Sequence, residues 1–351
     1  MKPSTQPRFT AAVIGLGFVG VGDQVSGDAI GQKVVHLDGT HAQALAGHPR
    51  VKLVAGASRD EGRRQRFAAR FDVRGTYADW REMLARERPD IVSVATNSPY
   101  HAEITLGCVE AGARAVFCEK PIATRLSDAD RAIAACASRG VLLAVNHNRR
   151  WSPLWRMARE KIRQGTLGEV YQVSVHWPSG RLGNVGTHLF DAARLLIGGE
   201  PQAVSGTLDP LLLPDCRGSR YRDPGGWGVV AFGGGVKLFV NAPQAAKLPL
   251  AARVLGSLGE LSIRRDEAVV ELHGGGSRTL AAPKDSPSSV ALAVDDIVNC
   301  LTRGGRPAST GEDARAALEI VVGFHVSDRN GARWTPLPLA GADRDLEVLI
   351  G

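Results

Sequence analysis

The first half of the chain alternates short apolar runs with longer amphipathic ones. The stretch FTAAVIGLGFVG, from Phe9 to Gly20, is an apolar strand broken by glycines, and VKLVAGAS, from Val51, is a second, β-branched run. DEGRRQRFAARF and YADWREMLARER have helical periodicity, with the strand IVSVAT after Pro89 and Asp90. HAEITLGCVEAGA predicts a helix ending near Gly112, RAVFCEK a strand, LSDADRAIAACASRG a helix and VLLAVN one more strand. In that last helix Ser127 is the expected N-cap, with Asp130 three residues on. Apolar runs alternating with helical patterns predict a parallel sheet with helices on both faces. Such a sheet binds ligands beyond the carboxyl ends of its strands.

The second half changes pattern. VYQVSVHW, QAVSGTLD, WGVVAFGGGVKLFVNA, AARVLGSLGELSIRRD and AVVELHGG are strands separated by turn residues. Two helical stretches interrupt them, PLWRMAREKIRQG and GTHLFDAARLLIGG, and a final helix, GEDARAALEIVVGFHVSDRNG, precedes a short closing strand, WTPLPL. A chain of 351 residues is too long for one ordinary core, so two domains are expected, 1–147 and 148–351.

Composition narrows the class. Hydrophobic content of 44% with 23% charged residues fits a soluble globular protein. The net charge of +7 is scattered, which suits a solvated surface or attraction of an anionic cofactor or substrate. Neither zinc-finger spacing nor a basic-aromatic strip is present, so nucleic acid is not an expected partner. Five cysteines (Cys108, Cys118, Cys136, Cys216 and Cys300) without a C-x-x-C pair argue against a disulfide framework or a metal site. MKPSTQPRF lacks an apolar signal region and no apolar stretch spans a bilayer, so a cytoplasmic protein with no membrane partner is expected.

The glycines of the first strand form Gly15-Leu-Gly17-Phe18-Val19-Gly20. Glycines so spaced after a first strand permit a tight turn and close approach of backbone N–H groups to a pyrophosphate. A helix should begin there, yet Val21–Gly39 holds too much glycine, and the better helix begins near Thr40. That segment is an inserted loop: it covers the cofactor, contacts a neighbouring subunit, or is a surface excursion.

The end of the second strand selects between the two nicotinamide dinucleotides. A carboxylate there would bind the ribose hydroxyls of NAD. Here the strand ends at Ala57, Ser58 and Arg59, with Arg63 and Arg64 one turn on. A hydroxyl beside guanidinium groups suits a 2′-phosphate, so NADP is preferred, with NAD possible because Asp60 follows. The alternative is that Arg59 and Arg63 are ordinary surface charges.

The sequence resembles the glucose–fructose oxidoreductase / inositol dehydrogenase (Gfo/Idh/MocA) family. The resemblance rests on the glycine fingerprint, on ATNSPYHAE after the fourth strand, on Glu119-Lys120-Pro121 and on GNVGTHLFD at 183–191, and it spans nearly the whole chain. It implies an α/β protein: an N-terminal Rossmann domain, then an α/β domain with a large, open, mostly antiparallel sheet that commonly forms a dimer surface. A homodimer or homotetramer is therefore expected. It also implies that Thr96, Asn97, His101 and Glu119 face the cofactor, with Glu119 toward a ribose, and that Lys120 stands at the nicotinamide end of the cleft. The bond before Pro121 is expected to be cis, aiming the lysine.

The implied reaction moves a hydride between nicotinamide and a secondary hydroxyl or keto group of a sugar, cyclitol or sugar-derived substrate. That reaction needs a proton acceptor near the carbinol oxygen. Lys120 and His188 match the family's lysine and histidine. Asp191, three residues beyond His188, suits orientation of a neighbouring group. The family's aspartate four residues before the histidine is here Asn184, which cannot accept a proton. Substrate contacts are expected from Lys120, Arg150, Trp151, Trp177, Arg181, Asn184 and His188. Arg150-Trp151-x-Pro153 resembles the family's R-F-x-P segment, and aromatic faces with arginine forks suit a polyhydroxylated ring. Tyr221, Arg222 and Trp227 are further candidates. Two other functions remain open: a redox-assisted glycoside-cleaving enzyme with tightly bound NAD(H), and a non-catalytic dinucleotide-binding sensor or corepressor.

Overall fold

The computed structural model describes residues 8–23, 38–211, 215, 218–245 and 249–351. They form two compact units. The first comprises 1–123, 128–148 and 287–312, and the second 124–127, 149–286 and 313–351. The expected division after residue 147 has one crossing, whereas the chain returns to the first unit for 287–312.

The first unit is built on a six-stranded parallel sheet. Its strands are β1 (Phe9–Ile14), β2 (Val51–Ala57), β3 (Gly75–Tyr77), β4 (Ile91–Val94), β5 (Ala115–Cys118) and β6 (Leu142–Val145), in the order β3-β2-β1-β4-β5-β6. Every residue of β4 and β5 is buried, as a sheet covered on both faces requires. The helices are α1 (Phe18–Val21), α2 (His41–Gly47), α3 (Glu61–Phe71), α4 (Trp80–Glu87), α5 (His101–Glu110) and α6 (Leu126–Ser138). α6 begins before Ser127, so that serine lies inside the first turn and is not the N-cap.

The chain order of the strands reverses between β1 and β4. Segments leaving adjacent carboxyl ends on either side of that point diverge and open a crevice. α1 is a single turn closed by Gly22 at φ 78°, and α2 starts after Thr40, whose hydroxyl accepts the Gln43 backbone N–H at 3.3 Å. The break expected at Val21–Gly39 is therefore present at both ends, while residues 24–37 of that insertion lie outside the described residues.

The second unit contains α7 (Pro153–Arg163), α8 (Thr187–Ile197) and a nine-stranded sheet. The strands are β7 (Val170–His176), β8 (Pro201–Leu208), β9 (Gly226–Phe232), β10 (Lys237–Ala242), β11 (Ala251–Gly256), β12 (Gly259–Arg264), β13 (Glu267–Leu272), β14 (Ser277–Ala281) and β15 (Thr335–Pro336). Their order is β14-β13-β12-β11-β7-β10-β9-β8-β15, antiparallel except for β7 with β10. Alternation in β10 buries Leu238, Val240 and Ala242 and leaves Phe239 exposed, paired with Val229 of β9.

α9 (Ser289–Arg303) was not among the expected elements, although its pattern is in the chain. Ser288 caps it, accepting the Ala291 backbone N–H, and Val290, Ala293, Val294, Ile297 and Val298 are buried on one face. It belongs to the first unit. α10 (Gly311–Arg329) sends Phe324 to stack on Phe190 of α8, with ring centroids 5.7 Å apart. Among the described residues no helix is long and apolar enough to cross a membrane.

Candidate active-site elements

In the first unit, the segments after β1, β2, β4 and β5 bring the expected cofactor and catalytic residues to the carboxyl edge of the parallel sheet. Gly15 follows β1 at φ +100°, a left-handed value that suits glycine. A Cβ there would lie 2.3 Å from the Ala95 carbonyl oxygen, and a Cβ on Gly20 would lie 2.0 Å from that of Gly15. Both glycines are thus required for the loop after β1 to pack against the end of β4. Gly17 precedes α1, and Phe18, Val19 and Gly20 lie within it.

After β2 come Ser58 and Arg59, and Arg59 is exposed. Asp60 is the N-cap of α3 and accepts the Arg63 backbone N–H at 2.8 Å. The Arg63 guanidinium lies 3.5 Å from Asp23, and Arg66 pairs with the same carboxylate at 2.6 Å. Arg64 donates to the carbonyls of Ser58 and Arg59, at 2.7 and 3.0 Å, tying the turn to its own helix. Of the expected phosphate grip, Ser58 and Arg59 stand at the strand end, while Asp23 draws on the charge of Arg63.

Thr96 and Asn97 follow β4. His101, expected against the cofactor, has a buried ring, with Nδ1 2.7 Å from the Pro121 carbonyl and Nε2 3.0 Å from that of Thr96. It ties the segment after β4 to the turn after β5.

β5 delivers Glu119, Lys120 and Pro121, and the Lys120–Pro121 bond is cis, as expected. The Glu119 backbone N–H extends the ladder to the Val94 carbonyl at 2.8 Å. Its side chain, expected toward a ribose, is engaged within the unit. It is buried, with Oε1 2.8 Å from His41 Nε2 and 2.6 Å from Asn146 Nδ2, and Oε2 accepts the Lys120 backbone N–H at 3.2 Å. Burial alone would push this carboxyl up. The His41 hydrogen bond and charge, the Lys120 charge and the Asn146 hydrogen bond outweigh it and bring the group down to about 2. Lys120 itself is half-buried.

In the second unit, Asn184 sits in a wide helical turn, Leu182–Gly186, that leads into α8 and His188. The carboxylate of Asp223 holds this turn, taking the backbone N–H groups of Gly183 and Asn184, each at 2.7 Å. Burial raises Asp223 from 3.8 to about 6, against the lowering effect of those two bonds and of Arg181. Arg181 also reaches Asp215, at 3.1 Å. Asn184 is buried and His188 half-buried.

Three expected substrate contacts have structural work in the second unit. Trp151 and Trp177 are buried, at 2% and 0% exposure, so neither presents an aromatic face in this structure. Trp177 donates its indole N–H to the Gly180 carbonyl at 2.5 Å and meets Phe190 edge-on. Arg150 directs its Nε to both oxygens of the fully buried Asp191, at 2.8 Å each, and pairs with Asp313 at 3.0 Å. Asp191 orients Arg150, the supporting part its spacing suggested. Tyr221 is buried, and Trp227 is exposed on β9.

Residues outside the recognised motifs matter as much. His41, backed by Ser93, and Asn146 hold Glu119, and Asp223 holds the turn before His188. No local spacing announces them, because each acts across tens of residues of chain. Cys108, Cys118 and Cys136 are buried thiols, and burial pushes Cys136 up to about 12. Cys216 lies outside the described residues.

Comparison with known proteins adds the family. A profile described as "Oxidoreductase family, NAD-binding Rossmann fold" matches residues 9–147, and the "GFO/IDH/MocA C-terminal domain" profile matches 155–262. The chain belongs to the Gfo/Idh/MocA family of oxidoreductases. Relatives within it include the D-apiose dehydrogenase of Paraburkholderia graminis, 26% identical over 93% of this chain and 90% of that one. The myo-inositol 2-dehydrogenase of Thermotoga maritima is 28% identical over 47% of this chain and 53% of its own length. A levoglucosan dehydrogenase solved with NADH and levoglucosan shares the fold, with a TM-score of 0.78 and 21% identity over 94% of this chain and 100% of that one. Membership of the Gfo/Idh/MocA family accounts for the NAD-binding Rossmann fold of the first unit.

Proposed function

We propose that this Gfo/Idh/MocA protein transfers a hydride between a nicotinamide dinucleotide and a secondary hydroxyl or keto group of a sugar, cyclitol or sugar-derived substrate. The observation that supports it most is the convergence of the glycine loop, the Ser58–Arg59 turn and Glu119-Lys120-Pro121 on one sheet edge at the topological switch point.

The residues fit a dinucleotide. The loop from Gly15 to Gly20 is free of side chains at the points where it folds on itself, and its backbone N–H groups suit a pyrophosphate. Ser58 and Arg59 supply a hydroxyl and a guanidinium where a ribose phosphate would lie, so NADP is the preferred cofactor and NAD the second. The engagement of Asp60 as a helix cap supports this preference, since that carboxylate is held by its own backbone. Thr96 and Asn97 complete the cofactor side. When bound, the nicotinamide supplies the hydride acceptor or donor.

Lys120 takes the hydroxyl proton from the carbinol in one direction and returns it to the ketone oxygen in the other. His188 is the second acid/base group. Asn184 offers an amide to a substrate hydroxyl but cannot titrate, so the aspartate's proton-transfer role rests on the lysine and the histidine. Arg181 is a further substrate contact, whereas Arg150, Trp151 and Trp177 support the unit that holds it.

The proposal extends to a homodimer or homotetramer associating through the exposed face of the nine-stranded sheet, where Phe239 and Trp227 are exposed. Titration of NADPH and NADH by fluorescence, followed by a screen of sugars and cyclitols at the nicotinamide absorbance band, tests the reading. Turnover with at least one substrate supports it. Tight binding without turnover would favour a sensor, and product release without net absorbance change would favour redox-assisted glycoside cleavage. Arg59→Ala is expected to weaken NADPH much more than NADH, and equal effects would remove Arg59 from phosphate recognition.

A further inference from the structure

Glu119 is a buried carboxylate, and a buried charge is costly unless it is hydrogen-bonded. Its partners come from three separate elements of the first unit. His41 opens α2, Asn146 follows β6, and the Lys120 N–H follows β5.

His41 is held on three sides. Its Nδ1 lies 2.6 Å from Ser93 Oγ of β4, its Nε2 faces Glu119, and its ring lies against Phe117, centroids 4.5 Å apart. Ser93, His41 and Phe117 are all fully buried. The Ser93 hydroxyl rotates to suit the ring: it donates to Nδ1 of a neutral imidazole and accepts from an imidazolium. In both states Nε2 carries the proton that Glu119 accepts. Among the described residues, the other titratable groups facing Glu119 are Lys120 and the Cys118 thiol, whose Sγ lies 3.2 Å from the Glu119 carbonyl. Lys120 is the only one whose charged form gains from a carboxylate there.

We propose that His41 is a positioning residue: with Asn146 it fixes the Glu119 carboxylate, ionised, beside Lys120, and so sets the electrostatic field in which that lysine exchanges its proton. This deepens the role given to Lys120 above and rests on that reading for its catalytic meaning. Coupling is reciprocal, so the Lys120 charge that favours the ionised carboxylate is favoured by it in turn. In the direction of ketone reduction the ammonium so favoured is the proton donor, and in the other direction the same field sets the pH at which the lysine becomes the acceptor.

The test follows the Lys120 titration in the full-length protein labelled with 13C-lysine, its Cε resonance assigned by its loss in Lys120→Arg. In His41→Leu the midpoint is expected to fall by about one pH unit or more, because a loosened or protonated Glu119 withdraws its charge. His41→Gln, which keeps a donor at the Nε2 position, should restore the midpoint. A fall in stability without a moved midpoint, or a His41→Gln value as low as that of His41→Leu, overturns the proposal. If His41→Leu does not fold, Asn146→Ala removes the other side-chain donor and must lower the midpoint; an unchanged value refutes the proposal equally. No substrate is needed. A chain that turns over no sugar would defeat the hydride-transfer reading and leave this measurement decisive, and an unmoved midpoint would defeat the positioning role and leave hydride transfer standing.

Discussion

At the scale of single residues, two buried carboxylates respond to pH in opposite senses. Glu119 is brought down from 4.5 to about 2, so its stabilisation is fully present above the ordinary glutamate value and is lost as pH falls through about 2. Asp223 is raised from 3.8 to about 6, so its contribution is greatest below 3.8 and is lost as pH rises to about 6. The loss is on the order of 3 kcal/mol, reduced by relaxation around the charge. Urea unfolding of the wild type against Asp223→Asn across that window is expected to show stability falling with pH in the wild type and a flatter profile in the variant. Parallel profiles would mean that Asp223 ionises without penalty. Neither pairing could be read from the chain. Lys120 announces itself in a motif, but the residues that fix its neighbour Glu119 lie 78 positions before it, at His41, and 27 after it, at Asn146. Trp177 shows the converse error: an indole suited to a sugar ring is equally suited to a core, and only its zero exposure distinguishes the two.

At the scale of elements, the parallel sheet was legible because its strands are short, continuously apolar and separated by strongly periodic helices. α9 is the element that strand–helix alternation does not announce, although Ser288 and its apolar spacing mark it, because its neighbours in sequence are strands of the other unit. The glycine loop was legible for a stricter reason, since its third glycine leaves no room for a side chain. Gly20→Ala would drive a methyl group against the Gly15 carbonyl, and backbone cannot rotate away as a flexible side chain can. This variant is expected to lose dinucleotide affinity by at least about tenfold, with a lower melting temperature, measured by NADPH fluorescence titration and calorimetry. Wild-type affinity would show that the loop relaxes freely.

At the scale of the whole molecule, membership of the Gfo/Idh/MocA family joins an NAD-binding Rossmann unit to a second unit of nine strands. Alternation along β9 and β10 leaves Trp227 and Phe239 exposed on one face, an apolar patch that water does not favour. Phe239→Asp is expected to shift the sedimenting species from a dimer or tetramer to the protomer without changing the fold. A wild type that already sediments as a protomer would remove the sheet face as an association surface.

The central claim is that Lys120 transfers the proton that accompanies hydride transfer. The most direct measurement is single-turnover reduction of the bound cofactor by whichever sugar or cyclitol the wild type oxidises, compared with Lys120→Ala. The account predicts unchanged dinucleotide affinity and a rate lower by about 10²- to 10⁴-fold in the variant. A variant that binds the cofactor and reduces it at the wild-type rate would contradict it.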